Sequence, residues 1–255
     1  MAPARRAPSV GSMSERQRAN HRAEWSVGKA IITGASRGLG LALATGLAST
    51  GWRVVVDARD AAALAEAAAP LGDAVVAVPG DVTDHAHRRA LIDAAGDDLE
   101  LLVNNAGILG PSPQPGLADY PLDALREVYE VNVVAPLALT QLALPALRER
   151  GGAVVNVSSD AAVEAYETWG GYGSAKAAIE RISAVLAAEE PTVRVWWIDP
   201  GDLRTRMHQE AFPGEDISDR PLPETAVPPF LRLLTDRPPS GRIRLAELAA
   251  PTVAA

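Results

Sequence analysis

Cysteine is absent from the chain, which removes disulfides, thiolate metal sites and cysteine nucleophiles from consideration together. A reducing cytoplasm suits such a chain, and a cytoplasmic location is the expectation. Histidine is scarce. His21, His85, His87 and His208 show no HExxH-like spacing, and His85 and His87, two residues apart, would point from different faces of a helix. No metal site is expected from them, and they read as solvated surface. No run of about 18 apolar residues occurs, so no membrane span is expected. A basic excess is also missing: the net charge of -8 argues against a general nucleic-acid binder.

What is present, a chain of 255 residues, suits one α/β domain with a full core better than two small domains. Residues 1 to about 27 differ from the rest. They are rich in Ala, Pro, Ser and Arg, without apolar periodicity, and read as a disordered extension. The segment lacks the apolar core of a secretory signal, while Glu15 and Glu24 count against a transit peptide. Met13 is an alternative start. Residues 28–255 read as a single domain.

From Lys29 onward, short β-branched runs alternate with alanine-rich segments, the pattern of parallel βα units. Strands are predicted at Ala30 to Thr33, Arg53 to Val56, Ala74 to Val78, Leu101 to Val103, Ala153 to Val157, Val193 to Ile198 and Arg242 to Leu245. Helices are predicted near Leu39 to Ser49, Ala61 to Ala69, His85 to Ala95, Leu122 to Arg148 and Tyr172 to Glu189. Right-handed crossovers then give a doubly wound, Rossmann-like parallel sheet of about seven strands, order 3-2-1-4-5-6-7, with helices on both faces. The irregular stretch from Arg206 to Pro223 should lie beyond the carboxyl edge, where it is either a substrate lid or a disordered surface loop.

Directly after the first predicted strand comes Thr33-Gly34-Ala35-Ser36-Arg37-Gly38-Leu39-Gly40, leading into an apolar helix. Such glycines allow a tight turn and close approach of the backbone to a pyrophosphate, and the helix N-terminus favours the anion. No Gly-Lys-Ser/Thr follows, so a Walker-type loop is excluded. After the second strand stands Asp57-Ala58-Arg59. If the strand ends at Asp57, Ala58 takes the position where an acidic residue would bond a free ribose 2′-hydroxyl. Arg37 and Arg59 could clasp a 2′-phosphate. NADP(H) is therefore expected over NAD(H), with Asp57 as the residue that speaks for NAD.

Thirteen positions separate Ser159 from Tyr172, and four more lead to Lys176. If Gly170 and Gly171 open a helix, Tyr172 and Lys176 share one face a turn apart. An ammonium beside a phenol favours phenolate, so a lowered tyrosine pKa is expected.

Over about residues 28 to 248 the chain resembles the short-chain dehydrogenase/reductase family in its compact single-domain form. The motifs that carry the resemblance occur in order: the Thr33 to Gly40 loop, Asp81-Val82, Asn104-Asn105-Ala106-Gly107, Ser159 with Tyr172 and Lys176, and Pro200-Gly201. The resemblance implies that Gly34, Ser36, Arg37, Gly38, Leu39 and Gly40 hold the pyrophosphate side of a dinucleotide. It places Asp81 and Val82 at the adenine, and Asn104, Ala106 and Gly107 along the adenosine ribose and fourth strand. Pro200, Gly201, Leu203 and Thr205 match the segment that contacts the nicotinamide carboxamide and pyrophosphate. It implies that Ser159 polarises a substrate oxygen, Tyr172 exchanges its proton, Lys176 also binds the nicotinamide ribose, and Asn132 bends its helix and holds a relay water. The 13-residue spacing selects Ser159 over Ser158.

The expected activity is NADP(H)-dependent interconversion of a carbonyl and a secondary alcohol on a small molecule. A nucleotide-sugar epimerase or dehydratase and a non-catalytic NADP-sensing protein are the rival readings. Tyr166 and Trp169 are candidates for an apolar substrate wall or for packing at a subunit contact. Alanine-rich helix faces suggest a homodimer or homotetramer. Neither a nucleic acid nor a membrane is an expected partner.

Overall fold

The computed structural model describes residues 28–249. The expected N-terminal extension, with Met13 and His21, lies outside them. Seven parallel strands form one sheet: β1 (Lys29–Ile32), β2 (Arg53–Ala58), β3 (Val75–Pro79), β4 (Leu99–Asn104), β5 (Ala153–Val157), β6 (Arg194–Asp199) and β7 (Gly241–Arg244). Their order is β3-β2-β1-β4-β5-β6-β7, as expected, with boundaries shifted by a residue or two.

Strands covered on both faces have no polar side to present, hence near-continuous apolar runs such as Val54-Val55-Val56. Alternation still sorts them. Ala30 and Ile32 face one layer of core with Leu43, Trp196 and Phe230, while Ile31 faces the other with Leu91, Leu102, Leu139 and Leu147. Helices α1 (Gly38–Ser49) and α8 (Val227–Asp236) cover the first face, and α3 (His85–Ala95) and α5 (Ala135–Arg150) the second. The remaining helices are α2 (Ala61–Ala68), α4 (Leu122–Tyr129), α6 (Gly170–Glu189), α7 (Arg206–Ala211) and α9 (Leu245–Ala249).

Two expectations are corrected. The helix expected over Leu122 to Arg148 is α4, a π turn at Glu130–Val134, and α5. The Asn132 Nδ2 donates to Val128 O at 2.9 Å, so a side chain takes up a carbonyl four residues back and the turn widens. This run also reaches a mean hydropathy of 1.4 over 18 residues, enough by length and composition to cross a membrane. However, 56% of that window is buried inside the protein, as in a core helix. The second correction is that the stretch from Arg206 opens with regular helix, because the Thr205 hydroxyl accepts from His208 N at 3.2 Å and caps α7.

Candidate active site

The glycine loop is built by contacts that no larger residue could make. At Gly34 φ is +69°, and a Cβ there would lie 2.8 Å from the Ala106 Cα. Thr33 and Asn105 knit the two segments together. The Thr33 hydroxyl accepts from the Asn105 and Ala106 amides at 3.0 Å, and Asn105 Nδ2 donates to Thr33 O at 2.8 Å and Gly34 O at 3.1 Å. Helix α1 then begins with no side-chain cap and no acidic residue in its first turn, which leaves its leading N–H groups for an anion.

A cleft of about 890 Å³ opens from this loop along the carboxyl ends of the strands. Gly34, Ser36, Arg37, Gly38, Leu39 and Gly40 line one end with Arg59, Asp81 and Val82. Ala106 and Gly107 line the middle, and Pro200, Gly201, Leu203 and Thr205 border it with Ser159, Trp169, Tyr172 and Lys176. Three expected residues stand elsewhere. Asn104 turns inward and donates to Asn156 Oδ1 at 2.8 Å and Thr140 Oγ1 at 3.2 Å, bracing β4 against β5 and α5. Asn132 lies behind Gly107, holding Ile108 through both its amide groups. Tyr166 is exposed, its hydroxyl donating to Asp160 Oδ2 at 2.9 Å.

At the β2 end the strand continues through Ala58, one residue beyond Asp57. Arg37 and Arg59 are exposed, and neither guanidinium forms a hydrogen bond or ion pair among the described residues. Partial burial would raise the Asp81 carboxyl, but Thr83 and then Arg59 bring it below the usual range. An uncapped helix start and an open glycine loop fit the pyrophosphate of a dinucleotide. His87 corrects the expectation of a solvated histidine. It lies on the inward face of α3, buried, with Nε2 at 2.9 Å from Asp57 Oδ2. His85 is exposed and His208 half-buried.

At the other end, Ser158 and Ser159 part company. The Ser158 hydroxyl is buried and donates to Glu180 Oε1 at 2.5 Å. The Ser159 hydroxyl donates to Asp160 Oδ1 at 2.9 Å and accepts from Ala161 N at 3.2 Å. Helix α6 does begin at Gly170, and a Cβ on Gly173 would lie 2.7 Å from Ala161 O. That approach brings the Ser159 turn against the first turn of the helix that carries Tyr172.

Tyr172 and Lys176 share a face, with Nζ 5.4 Å from the ring centroid, but the expected lowering of the phenol is not found. Burial pushes Tyr172 above its ordinary value, and the charges of Asp160 and Asp199 add to it. Burial likewise pushes Lys176 down to about 8, and its Nζ donates to Val157 O at 2.8 Å. Desolvation favours the neutral form of each group.

Asp160 and Arg242 are site residues that the motifs do not reveal. Arg242 on β7 donates from Nη2 to Ser159 O at 3.1 Å and Asp199 Oδ2 at 3.2 Å, and from Nε to Glu180 Oε1 at 3.0 Å. It thus joins the Ser159 turn, α6 and the end of β6. Its β-strand position gives no sequence signal of that convergence.

The architecture and the cleft define a dinucleotide-type α/β oxidoreductase, and comparison with known proteins gives the family. The short chain dehydrogenase model matches residues 28–216. The rhamnolipids biosynthesis 3-oxoacyl-[acyl-carrier-protein] reductase of Pseudomonas aeruginosa is 38% identical over 192 residues, covering 70% of this chain and 73% of that one. Mouse sepiapterin reductase is 36% identical over 199 residues, covering 71% and 76%. A short chain dehydrogenase from Shigella flexneri 2a, solved with NADP, superposes with a TM-score of 0.79 at 28% identity, covering 86% of this chain and 96% of that one. The chain belongs to the short-chain dehydrogenase/reductase family and is an oxidoreductase acting on alcohol and carbonyl substrates.

Proposed function

We propose that the protein reduces a small-molecule carbonyl to a secondary alcohol, and runs the reverse, with NADP(H) as cofactor and Tyr172 as the acid or base. The observation that carries this reading is a buried phenol at the cleft, one helical turn from a buried lysine and packed against the Ser159 turn. NADPH, when bound, supplies the hydride. Oxygen of the carbonyl gains alkoxide character as it is reduced, so the chain must polarise that oxygen and deliver a proton. Ser159 can turn its hydroxyl from Asp160 to the substrate oxygen, and Tyr172, held protonated by its surroundings, donates. Lys176 would hold the nicotinamide ribose and pass the proton onward toward Asn132.

Arg37 and Arg59 would clasp the 2′-phosphate. Trp169 supplies an apolar wall edge-on to Tyr172, their centroids 6.0 Å apart, and Phe212 beyond α7 packs on the same indole at 5.8 Å. These contacts support residues 206–223 as a lid over an apolar substrate. A homodimer or homotetramer accompanies this reading.

Tyr172→Phe is expected to abolish NADPH oxidation with a panel of ketones and aldehydes and to leave NADPH binding unchanged. Undiminished turnover would refute the role of the phenol.

A further inference from the structure

Asp57, the acidic residue next to last in β2, speaks for NAD, yet its carboxylate is not available to a ribose. Asp57 is 1% exposed, with Oδ1 accepting from Gly34 N at 2.7 Å and Oδ2 facing His87 Nε2 at 2.9 Å. His87 is itself wedged in place: a Cβ on Gly80 would lie 2.2 Å from its Nδ1, so the ring packs directly under the Gly80-Asp81-Val82 segment at the adenine end. The pair therefore ties together three parts of the cleft, namely the glycine loop, the end of β2 and the end of β3.

We infer that His87 is a positioning residue for cofactor selectivity, holding the Asp57 carboxylate inward and leaving Arg37 and Arg59 free for a 2′-phosphate. The inference rests on the dinucleotide reading above. Without the imidazole, Asp57 Oδ2 is a buried acceptor with no partner, a costly state. The cleft that Asp57 already borders offers relief: a carboxylate turned that way meets water, accepts from a ribose 2′-hydroxyl and repels a 2′-phosphate. Repulsion between unit charges near a protein surface supports a change of about tenfold or more.

The test needs no turnover. Dissociation constants for NADPH and NADH are read from the fluorescence of the bound dihydronicotinamide, without substrate. His87→Leu is expected to lower the NADPH-over-NADH preference by about tenfold. His87→Gln, whose amide can still donate to Asp57, should keep the wild-type preference, and the double variant His87→Leu, Asp57→Asn should recover it. A preference within about twofold of wild type in His87→Leu overturns the inference, as does a double variant that behaves like the single one. If His87→Leu does not fold, Asp57→Asn alone decides: a preference unchanged from wild type supports an inward carboxylate, and a tenfold gain for NADPH overturns it. A wild-type preference for NADH would sink the NADP reading alone, because the shift on replacing His87 is measured from whatever the wild-type value is.

Discussion

Lys176 exposes the conflict between stability and chemistry in this cleft, and its titration can be isolated. The side chain is 5% exposed, and burial lowers its pKa from 10.5 to about 8. A tenfold change in proton affinity is about 1.4 kcal/mol, so keeping the ammonium charged in the folded protein at pH 7 costs about 3 kcal/mol. The sign follows from proton counting. Between about pH 8 and 10.5 the unfolded chain binds the proton and the folded chain does not, so this group makes the protein more stable as pH rises through that window. Below it the full cost is present.

Lys176→Met removes the charge and keeps most of the volume, but strands Val157 O, the acceptor of the 2.8 Å bond. An unpaired buried carbonyl costs about 1 kcal/mol at the low end, which leaves the variant about 2 kcal/mol more stable than wild type at pH 7. Near pH 10.5 that advantage should vanish or reverse. Urea unfolding of both proteins at fixed concentration, at pH 7 and pH 10.5, measures the difference, and other titrating groups cancel between the two. A spectroscopic check is simple because Lys29 and Lys176 are the only lysines. Reductive methylation with carbon-13 gives two side-chain signals, and the one missing in Lys176→Met should titrate near 8. A variant less stable than wild type at pH 7, or a Lys176 signal that titrates above pH 10, would refute the reasoning.

Two further perturbations probe the frame around Ser159. Arg242→Gln removes the cation between Glu180 and Asp199 and releases Ser159 O. It should cost about 2 kcal/mol in urea unfolding and lower kcat by tenfold or more with little change in cofactor affinity, while Arg242→Lys recovers part of both. Gly173→Ala would put a methyl 2.7 Å from Ala161 O, forcing the Ser159 turn away from α6. A loss of about 1 to 3 kcal/mol and a drop in kcat are expected, measured by the same unfolding and turnover assays.

The parts of the molecule that follow from chain-local physics were legible without coordinates. Strand order follows from βα alternation and crossover handedness, and the glycine loop from a strand before it and a helix after it. The Ser159, Tyr172 and Lys176 spacing is legible because both ends are local: a strand terminus and the first turn of a helix. Other features depend on burial or distant partners. Asp57 and His87 are 30 positions apart and meet only because α3 packs under β2. The direction of the Tyr172 shift depends on burial in the same way: spacing places an ammonium beside a phenol, but only the packed structure tells how little water reaches either. Asn104 matched a motif that lines the ribose and braces the fourth strand, and its bonds to Asn156 and Thr140 are the bracing.

The two ends of the cleft handle buried carboxylates differently, and the difference bears on the proton chemistry. At the β2 end Asp57 is satisfied by an amide and an imidazole, and burial raises its pKa despite them. At the β5 and β6 ends Asp160 and Asp199 both act on Tyr172, in the direction that keeps the phenol protonated. Asp199 is balanced by Arg242, whereas Asp160 has only hydrogen-bond donors, from Ser159, Ala161 and Tyr166, and no cation among the described residues. Arg242 therefore does more than hold the Ser159 turn. Its cation also pairs with one of the two carboxylates whose charges act on the phenol.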